Sequence, residues 1–141
     1  MKIIYLAHPV AGDIRANTER IEAIYRELLL HHDHVVPFAP YLTTLRTLEN
    51  HSGEDWGREI GMDANYRHFH RKSFDELALF GPRISDGMWK EVAWAVIHHI
   101  PVAPTDELAD DLVEGAKSRG LWQGLELVAH PKPEHTAIPL L

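Results

Sequence analysis

The sequence predicts an α/β domain of the three-layer Rossmann or flavodoxin-like type, a parallel sheet of about five strands flanked by helices. Three observations carry this. Short, continuous apolar runs recur along the chain, and such runs mark strands buried on both faces, as in parallel sheets. Between them lie stretches whose apolar residues recur every three or four positions, the spacing of an amphipathic helix. The two patterns alternate from the first residue to about residue 128. At 141 residues the chain has the size of one domain, so residues 1–141 read as a single unit, with the proline-rich 129–141 as an irregular tail.

Lys2–Ala7 is the first strand, and it runs into the loop His8-Pro9-Val10-Ala11-Gly12-Asp13. Ile14, Ile21, Ile24 and Leu28 form one apolar stripe, with Asp13 or Asn17 placed to cap the helix that carries it. Residues 34–40 (HVVPFAP) are the second strand, punctuated by prolines. Residues 41–54 show no clean period and read as a loop or lid. A helix follows over 56–72. Residues 75–81 (DELALFG) are the third strand, 86–99 the next helix with Met88, Val92, Ala95 and His99 on one face, and 100–104 the fourth strand. Asp106–Ser118 is a helix with Leu108, Leu112 and Ala116 in register, and 121–128 reads as a last strand.

Composition narrows the function. Twenty-one acidic against fourteen basic residues give a formal charge of −7, and the basic residues are interleaved with acids (Arg15, Glu19, Arg20, Glu22, Arg26, Glu27). No basic patch of the kind that grips a phosphate backbone is visible, so a small molecule is the expected partner and a nucleic acid polymer is not. No run approaches the ~18 apolar residues of a membrane span. The absence of cysteine removes disulfides, thiolate nucleophiles and cysteine metal sites, and fits a cytoplasmic setting.

In a parallel sheet, ligands bind beyond the carboxyl ends of the strands, near a switch in strand order. That directs attention to the loops at 8–13 and 82–87. In the second, Ser85 or Asp86 is a good N-cap, Gly87 lets the backbone approach a ligand, and the free N–H groups of the helix favour anions or hydroxyl-rich ligands. Glu91 follows about one turn later. It reads either as a nucleophilic carboxylate that the helix dipole keeps ionised, or as a solvated surface residue that supports the dipole. The loop at 8–13 is likewise a binding loop or a plain connection. It contains neither a dinucleotide nor a nucleoside triphosphate fingerprint.

Together, YLAHPVAGD at the start and DELALFGPRISDGMWKEVAWA at 75–95 resemble the two motifs of the nucleoside 2-deoxyribosyltransferase superfamily, in order and at matching intervals. Asp75 lies sixteen residues before Glu91 and Gly87 four before it. The resemblance covers residues 1–105 or so and is also to uncharacterised, often phage-associated members. It implies cleavage or transfer of an N-glycosidic bond on a nucleoside or nucleoside 5′-monophosphate, with Glu91 as nucleophile and a glycosyl-enzyme intermediate. Asp63, on the helix before the third strand, would be the acid, although Asn65 and Arg67 stand nearer the expected interval. Tyr5, His8, Gly12, Ser85, Asp86, Gly87 and Met88 would contact substrate. The chemistry requires no cofactor and no metal, and the resemblance implies a homodimer or higher homo-oligomer.

Several positions depart from that pattern. Ser85 replaces an aspartate and resembles the branch that hydrolyses nucleoside 5′-monophosphates, but the first loop lacks that branch's arginine. His8 stands where glycine is usual, narrowing the pocket or adding a polar contact, and Trp94 replaces another glycine. A catalytically inactive, nucleotide-like ligand sensor on the same fold is the alternative. The histidines at 31, 32, 34, 68, 70, 98 and 99 are spaced for helix C-termini and not for one metal. Trp56, Trp89, Tyr41 and Phe38 are the aromatics available either for stacking on a base or for packing.

Overall fold

The computed structural model describes residues 1–47 and 54–131, the side chains of 54–60 excepted. It holds a parallel sheet of four strands: β1 (Lys2–Ala7), β2 (Val35–Phe38), β3 (Glu76–Leu79) and β4 (Val102–Pro104), in the order β2-β1-β3-β4. Helices α1 (Ile14–His31), α2 (Tyr41–Thr47), α3 (Glu54–His70), α4 (Asp86–Ile97) and α5 (Asp106–Ser118) connect the strands and cover the sheet, giving the three-layer α/β architecture. β1 leads to β2 on one side and β3 leads to β4 on the other. Right-handed crossovers therefore place α1 and α4 on opposite faces.

The expected fifth strand at 121–128 does not form. Gly120, at φ +72, turns the chain after α5, and Trp122–Gly124 close a single 3-10 turn. The chain then touches the sheet through one bridge, Val102 to Leu127, held by Val102 N–H to Glu126 (2.8 Å) and Val128 N–H to Val102 (3.1 Å). The reading of 41–54 as a loop is corrected over its first half. Tyr41–Thr47 is the helix α2, anchored by a buried Tyr41 whose hydroxyl donates to the carbonyl of Leu6. Residues 48–53 lie outside the described residues, as do 132–141 of the expected tail. His130 and Pro131, just before, carry no regular structure.

Local chemistry sets the ends of the elements. Asp13 caps α1 by accepting from the Ala16 N–H (3.0 Å). Asn17 is buried instead, and its amide donates to Val10 (3.0 Å) and Ala11 (3.3 Å), bracing the loop after β1. α3 ends where Lys72 takes φ +51 and the Ser73 N–H reaches back to His68 (3.0 Å). Asp75 ties β3 to β1 through its N–H to the Ile3 carbonyl and its carboxylate to the Ile3 N–H, both at 2.8 Å. Beside it, Lys2 pairs with the buried Glu76 at 2.7 Å. These contacts lie at the amino edge of the sheet and leave the carboxyl edge to the site.

One face of the sheet carries an aromatic core, in which Tyr5 of β1 packs against Phe38, Tyr41, Phe69 and Phe74 at ring-centroid distances of 5.0–6.2 Å. α3 and α4 run side by side through Phe69–Trp94 (5.3 Å), Tyr66–Trp94 (5.2 Å) and Tyr66–His98 (5.8 Å).

Candidate active site

The switch in strand order falls between β1 and β3, and the loops that leave their carboxyl ends meet there. The Phe80 N–H bonds the Ala7 carbonyl at 2.9 Å, which holds the start of one loop against the end of the other strand. Gly81 then takes φ +98, and a Cβ there would come within 2.7 Å of Pro9 and 3.2 Å of the His8 ring. Glycine at 81 thus lets the loop after β3 pack closely on Pro9 and the His8 ring. Gly12, also at positive φ (+101), turns the first loop with open space around it.

α4 starts above this crevice. Ser85 caps it, its hydroxyl accepting from the Met88 N–H at 3.3 Å, while the Met88 sulfur lies 3.5 Å from the Ser85 N–H. Asp86 is exposed at the first helical position, and the space where Gly87 would carry a side chain is open apart from Ser85 at 4.0 Å. Met88 is buried, and Glu91, one turn further on the same face, is buried with it at 7% exposure. A helical side chain leans toward the N-terminus of its helix, so the Glu91 carboxyl is carried back toward the carboxyl edge of the sheet.

Burial dominates the chemistry of Glu91. It pushes the carboxyl from its usual acidic range up to about 7, and the neighbouring Tyr5 hydroxyl opposes the shift only in part. The expectation that the helix dipole keeps this carboxylate ionised is corrected accordingly. Tyr5 is itself held well above its ordinary value, by burial first and by the Glu91 charge second. Its hydroxyl is buried and makes no hydrogen bond of ordinary geometry among the described residues, although it lies near enough to Glu91 to influence it. Tyr41 feels burial and the Glu91 charge too, but its hydroxyl is engaged with Leu6.

His8 is buried at the end of β1. Its Nδ1 lies 2.7 Å from the Pro9 carbonyl, which fixes the proton on Nδ1 and leaves Nε2 as an acceptor with no partner among the described residues. Burial lowers its pKa, the bond to Pro9 works the other way, and the Arg20 guanidinium on α1 lowers it further. Arg20 is held by Asn17, its Nη1 donating to Oδ1 at 3.2 Å.

Asp63 does not join this group. Its side chain is 68% exposed on α3 and pairs with Arg67, one turn along, at 3.3 Å. Among the described side chains of that helix the buried polar one is Asn65. It precedes Phe69 by one turn, as Glu91 precedes Trp94, and Phe69 and Trp94 are in contact between helices that run the same way. Asn65 and Glu91 therefore lie at matching levels of the α3–α4 seam. The signal that separates Asn65 from Asp63 is the period: 65 and 69 share a helix face, while 63 and 67 share the next one.

The aromatic candidates divide. Trp89 lies over Gly115 of α5, with the Arg119 guanidinium 3.9 Å from its ring centroid, so it packs helix to helix. Phe38 and Tyr41 belong to the core around Tyr5, and the Trp56 side chain lies outside the described residues. Histidines gather at helix ends: His31 and His32 close α1, His68 and His70 stand in the last turn of α3, and His98 caps α4. Among the described residues no three His, Asp or Glu side chains are grouped as a metal would require.

Fold and site define a class, a doubly wound α/β protein with a buried carboxylate over its topological switch point. Within that class, the model of a domain of unknown function, DUF7768, matches residues 2–105, and the chain belongs to that family. The match runs from β1 to β4 and includes the whole sheet and the site. No curated protein and no solved structure matches the chain.

Proposed function

We propose that the protein cleaves or transfers the N-glycosidic bond of a nucleoside or nucleoside 5′-monophosphate, with Glu91 as the nucleophile at C1′. The observation that carries this reading is a carboxyl group buried over the switch point, poised near neutral pH, beside a buried tyrosine hydroxyl with no hydrogen-bond partner among the described residues. A surface glutamate supporting a helix dipole would have neither property. Burial excludes water from the nucleophile, and a carboxylate that is costly to ionise gains most by forming a neutral ester with the sugar. The Tyr5 hydroxyl stands beside it. Ser85, Asp86, Gly87 and Met88 form the N-terminal turn of α4, where free N–H groups and open space suit sugar hydroxyls or phosphate. His8 and Gly12 line the facing loop. The resemblance of YLAHPVAGD and of residues 75–95 to the nucleoside 2-deoxyribosyltransferase motifs supports the same reaction class.

The exposed position of Asp63 favours a second reading, in which the site binds a nucleotide-like ligand without turning it over. One experiment separates the two. The purified protein is incubated with ribonucleosides, deoxynucleosides and their monophosphates, with and without a free acceptor base. Base exchange or base release is the expected result, and Glu91→Gln is expected to lose at least a hundredfold in kcat/KM. Full activity in Glu91→Gln would refute the nucleophile. Thermal stabilisation by a panel member without turnover would favour the sensor.

A further inference from the structure

We propose that His8 is the acid/base residue of this site, its Nε2 delivering a proton to the departing base and recovering one from the incoming water or acceptor. The inference rests on the glycosidic reading of Glu91 and supplies the group which that reading lacks. Leaving nucleobases need a proton, and the acid suggested by the sequence, Asp63, faces solvent and Arg67. Asn65, which is buried on the same helix, has an amide that cannot supply one.

Three features single out His8. It is the first residue beyond β1, buried, with its ring packed against Gly81 of the facing loop, where a Cβ would stand 3.2 Å from it. Its Nδ1 is committed to the Pro9 carbonyl at 2.7 Å, so ring orientation and tautomer are set by the backbone, and Nε2 has no partner among the described residues. A catalytic imidazole is held in the same way, one nitrogen fixed and the other offered to substrate. Third, His8 lies three residues beyond Tyr5, an odd offset that turns its ring toward Arg20 on the α1 side while Tyr5 and Glu91 lie on the α4 side, so imidazole and carboxyl reach the crevice from opposite faces of the sheet. Nucleophile and proton donor need not touch, because the nucleobase lies between the carbon attacked and the ring nitrogen protonated.

The steps balance. With Glu91 ionised and His8 protonated, a Glu91 oxygen bonds to C1′, the C1′–N bond breaks with its electrons going to the base, and the base takes the Nε2 proton. Water then attacks C1′, loses its proton to Nε2, and the ester bond electrons return to the Glu91 carboxylate. Nucleoside and water become sugar and free base, and both side chains are restored.

Among the described residues the charged and titratable neighbours are few. Arg20 from α1 faces His8, and Tyr5 from β1 and Tyr41 from α2 face Glu91. Arg20 and burial hold His8 below its ordinary value while burial lifts Glu91 to about 7. The active pair is then a minority form of the singly protonated site, and kcat/KM against pH is bell-shaped. His8→Asn keeps a donor toward the Pro9 carbonyl and removes Nε2. On the best substrate of the panel, the variant is expected to lose 10²–10⁴-fold in kcat/KM. Its remaining activity is expected to rise through pH 7 to a plateau, without the alkaline fall. With 7-methylguanosine or its 5′-monophosphate, whose base leaves as a neutral molecule without a proton, the loss should shrink to about tenfold or less. An unchanged thermal midpoint shows that the variant is folded. A variant that retains the alkaline limb, or loses equally on both substrates, overturns the role of His8 while leaving Glu91 standing. Wild-type protein that turns over no member of the panel overturns both.

Discussion

A carboxylate near a helix N-terminus gains about 0.3–1 kcal/mol from the dipole at an exposed site, whereas taking it out of water costs several times that. At Glu91 the second effect governs, and the carboxyl reaches about 7 instead of the value near 4.5 that it has in an unfolded chain. The native state thus holds a proton that the unfolded state has released between those two values. Stability must fall as pH rises through that window and level off above it. The difference, converted at 1.36 kcal/mol per unit, is about 3 kcal/mol. Glu91→Gln removes the ionisation and keeps the shape. Urea unfolding is expected to find wild type and variant within about 1 kcal/mol of each other at pH 5, and the variant more stable by about 2–3 kcal/mol at pH 8. A variant less stable than wild type at pH 8 would mean that the ionised carboxylate is well compensated. The site is then a place where the fold gives up stability, as groups poised for chemistry commonly do.

Between elements, the α4–α5 contact illustrates how packing overrides propensity. Gly115 lies within α5, where alanine would ordinarily gain about 1 kcal/mol. Here a Cβ would overlap the Trp89 ring and approach Arg119, which caps the other face of that ring. Gly115→Ala is therefore expected to destabilise by about 1–3 kcal/mol, lowering the thermal midpoint, and Trp89→Leu in the same chain should recover part of the loss. If Gly115→Ala raises the midpoint, the close approach is not a constraint. The same competition decides what the sequence discloses. Asp106–Ser118 and the first strand are plain in it because periodicity and burial agree. α2 is not, because its seven residues offer too few turns for a period and its anchors are long-range, Tyr41 to Leu6 and Arg46 to Glu22 of α1. Residues 121–128 have a strand's apolar content, but Gly120 and the turn at Trp122 leave only one bridge. Within the site, Glu91 and the two loops could be read from order and spacing. The buried Tyr5 hydroxyl and the inward Asn65 could not, since each depends on packing against segments far away in sequence, and the His8 tautomer could not because it depends on how the backbone turns at Pro9.

Across the whole molecule, stability is distributed so that the floor of the site is its firmest part. β1 and β3 are paired on both sides, and Tyr5, Leu6, Ala7, Leu77, Ala78 and Leu79 are wholly buried. β2 has half-exposed valines at 35 and 36 and a proline at 37, which cannot donate to a ladder. β4 is three residues long, with the single Leu127 bridge on its outer side among the described residues. Amides of β1 and β3 should therefore exchange with solvent only through global unfolding, and those of β2 and β4 through smaller openings as well. This ties the rigidity of the sheet to the chemistry of Glu91. Global unfolding exposes Glu91, so the opening constant for β1 and β3 should increase about a hundredfold from pH 5 to pH 8 after correction for the intrinsic rate, following the ~3 kcal/mol lost over that range. Openings of β2 alone leave Glu91 buried on the β3 side and should not change. In Glu91→Gln the central strands should no longer lose protection as pH rises through 7. Native-state exchange at two pH values, in both proteins, checks the prediction. If β2 and β1 respond alike in wild type, the sheet opens as one unit and the site is not founded on a separate, firmer layer.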